Sequence, residues 1–268
     1  YWQETRPREG GRTVVVRKDR DGTNRDFNPP PWNARSRVHE YGGDAWLIDR
    51  DTLIFANFAD QQLYQQSFGE SPHKLTDSPM LRFANGVVDR QRNRLICVVE
   101  DHGATGSEPE NLLAAVDLDS GAVTRLATGH DFYSSPTLTA DASELAFITW
   151  DHPNMPWDGT RLWVAAIGAD GTLNKPQYIA GNEHEAIQQP RFSSDGELYF
   201  ISDRDGWWNL FQGRVQPRPV RPMQAEFGVA PWSFGAQTYV ILKPGEIICV
   251  YSEQNRRQLA HLDVNTGT

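Results

Sequence analysis

The chain has 268 residues, 38% of them hydrophobic and 11% aromatic, with 9 Trp and only 2 Cys. So many large rings exclude a disordered tail, so few cysteines exclude a small disulfide scaffold, and no apolar run approaches the ~20 residues that span a bilayer. The formal net charge of -9 runs against the clustered positive charge that nucleic-acid binding requires, and a soluble globular chain is expected.

In chain order, residues 1–5 read as the tail of a strand, 6–12 as a loop, 13–18 as the next strand, 19–22 as a turn and 25–28 as a closing segment. A repeated grammar then sets in. Short β-type runs occupy 53–57, 95–100, 145–150, 198–202 and 247–252, with starts spaced by about 50 residues, close to the length of a four-stranded propeller blade. A tight polar turn precedes each run, at 49–51, 89–93, 140–143, 193–196 and 243–245, and before the turn lies another short run, such as 45–48, 136–138 or 190–192. Third strands are clear at 112–118, 161–167 and 209–214, and Gly-containing turns follow at 119–121 and 169–171.

Apolar and polar residues alternate with period two, and no 3.6-residue stripe of helical length occurs. The predicted fold class is therefore all-β, a β-propeller of four-stranded antiparallel blades. An immunoglobulin-like sandwich would not repeat in groups of four with one internal order. The expected organisation is a single propeller domain over 1–268, with a partial blade at 1–28, blades at about 45–76, 86–128, 136–180 and 190–221, and a partial blade at 233–268. The strand at 258–264 and the turn at 265–267 end the chain inside a blade, as 1–28 begins it inside one. A stretch of a longer polypeptide, incomplete at both ends, is expected, because propellers pair strands from their termini.

Cys97 and Cys249 fall inside apolar strand-like runs, and no Asn-x-Ser/Thr acceptor occurs. Buried free thiols in a reducing, cytoplasmic setting are expected. Because strands alternate in direction, second-to-third-strand loops and blade-to-blade connections share one face, which carries nearly all the unusual residues. Loops on a rigid scaffold concentrate function. The candidates are Arg37, His39, Glu40 and Tyr41; Asp131 and Tyr133; Asp151, His152, Asn154, Trp157 and Asp158; Glu183 and Glu185; and Trp207 with Trp208. The loop 150–159 is the densest, with two prolines to stiffen it and two Trp to bury area.

Catalytic and ligand motifs are missing. Neither His39-Glu40 nor His184-Glu185 continues to the second histidine of a zinc helix, and no Cys-x-x-Cys, Gly-rich phosphate loop or Gly-x-Ser-x-Gly elbow is present. No cofactor, no metal and no membrane or nucleic-acid partner is expected.

The segments 37–43, 131–133, 150–159 and 202–210 resemble the N-terminal propeller of bacterial prolyl oligopeptidase-family serine peptidases, in the acylaminoacyl-peptidase and dipeptidyl-aminopeptidase-like branch. The likeness runs in order over essentially the whole chain, and the 150–159 loop is its most specific part. The resemblance implies a C-terminal α/β-hydrolase domain that supplies a Ser-Asp-His triad, with the propeller gating access for short peptides. That domain lies outside this sequence, so the chain alone should be inactive. Family members that release dipeptides bind the substrate amino terminus with propeller glutamates, a role that Glu183-His184-Glu185 matches only in part, since the two glutamates are not adjacent. The rival readings are a free-standing TolB-like interaction module on the same fold and a metal-dependent propeller hydrolase with oxygen ligands.

Overall fold

The computed structural model describes residues 1–103 and 108–267, so 102–111, which the sequence pattern marks as one of the loops joining a second strand to a third, lies partly outside the described residues. Six antiparallel sheets follow one another along the described chain, each with its strands in sequence order. The first holds β1 (Trp2–Arg6), β2 (Arg12–Lys18) and β3 (Asn24–Asp26), with a single 3-10 turn at Pro7–Glu9. The second holds β4 (Trp46–Asp49), β5 (Thr52–Ala56), β6 (Leu63–Ser67) and β7 (His73–Lys74). The third holds β8 (Leu81–Asp89), β9 (Arg94–Asp101), β10 (Glu110–Asp117) and β11 (Val123–Ala127). The fourth holds β12 (Phe132–Leu138), β13 (Glu144–Trp150), β14 (Arg161–Ala166) and β15 (Gln177–Ala180). The fifth holds β16 (Ile187–Phe192), β17 (Leu198–Ser202), β18 (Asn209–Gln212) and β19 (Arg218–Pro219), and the sixth β20 (Tyr239–Lys243), β21 (Glu246–Glu253) and β22 (Arg256–Asp263). Repeated four-stranded antiparallel blades make the fold a β-propeller.

The five apolar runs that set the sequence repeat are the second strands β5, β9, β13, β17 and β21. Strands covered on both faces read as near-continuous hydrophobic runs rather than alternating ones. Thus β17 is buried at every position and β13 at all but its first, whereas the outer strand β11 has no buried residue.

The chain divides into two compact units. In the unit of residues 1–88 and 93–128, Val15, Phe27, Leu53, Phe55 and Tyr64 fill the space between the first two sheets. Ile54, Leu63, Phe83, Cys97, Val99 and Leu112 fill that between the second and third. In the unit of residues 89–92 and 129–268, Ile148, Trp150, Leu162, Ile187, Phe200 and Phe211 join the fourth sheet to the fifth. Ile201, Leu210, Phe227, Tyr239, Cys249 and Leu262 join the fifth to the sixth. Each fully buried Phe or Leu contributes roughly 1.5–3 kcal/mol through apolar burial. Both cysteines are free and buried. No helix of the described chain is long and apolar enough to cross a membrane.

Candidate functional site

The candidate residues fall into clusters on the connections around the inner strands, and each unit carries its own.

In the first unit, the backbone of 39–42 is coiled tightly before β4. His39 and Glu40 have φ of 53° and 61°, a left-handed region that few side chains tolerate. Gly42, at φ +65°, lies so close to Ser36 that a Cβ would sit 2.2 Å from its carbonyl oxygen. This coil turns the His39 N–H onto Glu100 Oε1 at 2.5 Å, and His39 Nε2 donates to Asn111 Oδ1 at 3.2 Å. Burial pulls the His39 imidazole down to a pKa of about 4, against the opposing hydrogen bond to Asn111, so the ring is neutral at pH 7.

Glu100 is a buried carboxylate at the loop end of β9. It gathers His102 Nε2 at 3.1 Å and Arg82 Nη1 at 3.6 Å, and Arg82 also reaches Glu40 at 3.2 Å. Arg37 joins this network through its backbone, its carbonyl accepting from Arg82 Nη1 at 3.5 Å. Its backbone N–H donates to Gln61 Oε1 at 2.7 Å and its guanidinium lies 4.4 Å from the centre of the Phe58 ring. Tyr41 projects outward, 67% exposed.

The second unit brings Asp131, Asp151 and His152 together with His130. The β12–β13 register pairs Phe132 with Trp150, which places His130-Asp131 across from Asp151-His152. Two reciprocal pairs result. His130 Nδ1 donates to Asp151 Oδ2 at 2.9 Å, and His152 Nδ1 donates to Asp131 Oδ2 at 2.8 Å. The backbone N–H groups of Asp131 and His152 donate to the same two carboxylates, at 2.9 and 2.8 Å. The His152 backbone and ring hold the Asp131 carboxyl below its ordinary range. Tyr133 is fully buried behind this clasp, and its hydroxyl accepts from the His130 N–H at 3.2 Å.

Beyond the clasp, the loop runs over to the connection before β16. Asn154 Nδ2 donates to the Glu183 carbonyl at 2.8 Å, and Asp158 Oδ2 accepts the Met155 N–H at 2.9 Å. Gly159 is packed against that connection so tightly that a Cβ would lie 2.5 Å from the backbone of Asn182 and Glu183. Glu183 therefore acts here through its backbone. The Glu185 carboxylate is buried and held by Arg204 Nη2 and Ser202 Oγ, each at 2.7 Å. Trp208 is half-buried, its backbone N–H donating to Glu226 Oε2 at 2.9 Å, while Trp207 is exposed.

Sequence reasoning did not single out Glu100, Arg82, His130, Arg204 or Trp232, whose ring meets Trp157. Glu100 carried a signal, being a carboxylate that terminates an otherwise apolar run. The rest depend on register and on contacts between distant loops. Chemically, the clusters position loops: the ring hydrogen bonds of His102, His130 and His152 go to carboxylates. Among the described residues, no group of three or more His, Cys, Asp or Glu is arranged to hold a metal ion.

Neither a family model nor a curated protein matches the chain. Solved structures do. Puromycin hydrolase aligns over 100% of this chain and 44% of its own, at 33% identity and a TM-score of 0.91. A puromycin-hydrolyzing peptidase from Mycobacterium tuberculosis gives 34% identity and 0.90 with the same coverage. The chain thus spans less than half the length of these enzymes. TolB from Acinetobacter baumannii aligns over 77% of this chain and 47% of its own at 14% identity and a TM-score of 0.51, a likeness of fold alone.

Proposed function

We propose that this chain, a homologue of the N-terminal propeller of prolyl oligopeptidase-family peptidases, is the non-catalytic, substrate-gating and domain-docking part of a serine peptidase acting on short peptides. The observation that carries the reading is the agreement over the whole chain, at one-third identity, with two puromycin-hydrolysing enzymes of which it matches the same 44%. In this reading the triad belongs to a C-terminal α/β-hydrolase domain of the same polypeptide. The clasped 150–159 loop and the Trp207-Trp208 pair face that domain and limit the size of what reaches it. Amide-linked aminoacyl compounds such as puromycin are the first substrates to test. The acylaminoacyl- and dipeptidyl-aminopeptidase-like specificity, a bacterial source and a cytoplasmic setting complete the proposal, the last supported by the two buried, unpaired thiols.

The test is made in the full-length enzyme. Trp157→Ala and Trp208→Ala should lower kcat/KM for short peptides several-fold and admit longer peptides that the parent rejects. Unchanged stability and unchanged size preference in both variants would overturn the docking assignment.

A further inference from the structure

In the first unit, the segment that leads into β4 carries positive charge that the Glu100 network does not use. Burial alternates along it as in a strand: Ala34, Ser36 and Val38 are buried, while Arg35 and Arg37 between them are exposed. Residues two apart in such a run share a face, so both guanidinium groups leave the segment on the same side. There they meet one ring. The guanidinium carbons of Arg35 and Arg37 lie 4.8 and 4.4 Å from the centre of Phe58, on the loop between β5 and β6. An aromatic face attracts a cation through its quadrupole but does not neutralise its charge. Neither guanidinium has a hydrogen bond or an ion pair to any described residue. The one carboxylate of the segment 33–43, Glu40, is taken by Arg82 at 3.2 Å.

The backbone holds the two arginines in this place. The Arg35 N–H donates to the Ala56 carbonyl at 3.0 Å, and the Phe58 N–H donates to the Asn33 carbonyl at 2.9 Å. The buried Gln61 side chain then ties arginine to ring: its Oε1 accepts the Arg37 N–H at 2.7 Å, and its Nε2 donates to the Phe58 carbonyl at 2.9 Å. Two like charges fixed over one ring repel each other, and an anion between them removes that repulsion. Because the backbone around them is already set, little of its freedom is lost when a ligand arrives.

We propose that Arg35 and Arg37 form a binding site for the terminal carboxylate of a short peptide. A guanidinium presents a planar fork of N–H donors that matches the two oxygens of a carboxylate. Two such forks suit one small anion, whereas a nucleic acid needs an extended basic surface, which a chain of formal charge -9 does not offer here. The proposal deepens the gating reading and rests on it for the ligand being a peptide. A phosphate group shares the same chemistry, and the test separates the two.

Binding to the isotope-labelled chain is followed by NMR at the arginine Nε–Hε signals, with trialanine, trialaninamide and inorganic phosphate as probes. Trialanine should shift the Arg35 and Arg37 signals, less so as salt is raised, and trialaninamide, which lacks the carboxylate, should not. Arg35→Gln and Arg37→Gln should each weaken trialanine binding by about fivefold. Arg37→Lys keeps the charge without the fork and should recover only part of the loss. Both positions are exposed, so the substitutions should leave the thermal midpoint unchanged. The site is overturned if the amide binds as well as the acid, if neither Gln variant alters binding, or if no Arg35 or Arg37 signal moves. Phosphate shifting these signals without a response to trialanine would overturn the peptide assignment. The gating reading is judged separately, by size selection in the full-length Trp157→Ala and Trp208→Ala enzymes. It stands if those variants admit longer peptides while trialanine fails to bind, and it falls, leaving the carboxylate site, if trialanine binds while they do not.

Discussion

At the scale of single residues, the most demanding position is His39. It adopts φ 53°, is largely buried and donates to Asn111, while its own backbone N–H is committed to Glu100. Burial lowers its pKa from the ordinary 6.5 to about 4, so the native state favours the neutral ring. Below pH 6.5 the unfolded chain takes up a proton that the folded ring accepts only near pH 4. The stabilisation from neutral His39 is therefore complete above pH 6.5 and is lost as pH falls towards 4, a loss on the order of 2–3 kcal/mol. Denaturant midpoints at pH 7.5 and pH 4.5, compared between the parent chain and His39→Gln, isolate this contribution, because the carboxylates titrate alike in both. The variant should lose less stability on acidification; identical losses would mean that the ring is solvated in the native state. Glu185 teaches a different lesson. A rim carboxylate with Arg204 and Ser202 both at 2.7 Å is already occupied, so it shapes the loop rather than waiting for a cationic ligand.

At the scale of elements, the 150–159 loop shows what chain order conceals. Its aromatic and proline content marks it in the sequence, and the strand before it was legible because central strands bury near-continuous apolar runs. The reciprocal His130–Asp151 and His152–Asp131 pairs were not, since they follow from one register, Phe132 opposite Trp150, and a shift by one residue would turn these side chains to the other face. Trp232 was out of reach for a similar reason: nothing local in 229–234 says that its ring meets Trp157, on a distant loop between β13 and β14. Gly159 carried no visible signal either, although its neighbours leave no room for a side chain. Gly159→Ala should force the loop off the Glu183 backbone and destabilise the chain by about 1–3 kcal/mol through overpacking. Thermal unfolding measures the cost, and chemical shifts of the Asn154 amide report whether its bond to the Glu183 carbonyl is broken. A stable variant with unchanged Asn154 shifts would show that the loop is not held there.

At the scale of the whole molecule, each compact unit contains one free cysteine in its core, Cys97 in the first and Cys249 in the second. Burial raises the thiol pKa in both, to about 12 at Cys97, which suppresses the reactive thiolate. Labelling by a thiol reagent then requires local or unit-wide opening, and the two cysteines report on the two units independently. Their surroundings differ. Cys97 lies on β9, between β8 and β10, all in a four-stranded sheet, and is packed among Phe83, Val99 and Leu112. Cys249 lies on β21 of a three-stranded sheet whose other outer strand, β22, is buried only at Leu262. Fewer covering contacts lower the free energy of opening, so Cys249 should label before Cys97 at pH 8 in sub-denaturing urea. Cys97→Ala and Cys249→Ala, each leaving one thiol, separate the two rates by mass spectrometry. Protection should be complete on the minute scale in buffer for both. Labelling of Cys97 first, or of both within seconds without denaturant, would show that the difference in strand coverage does not govern opening.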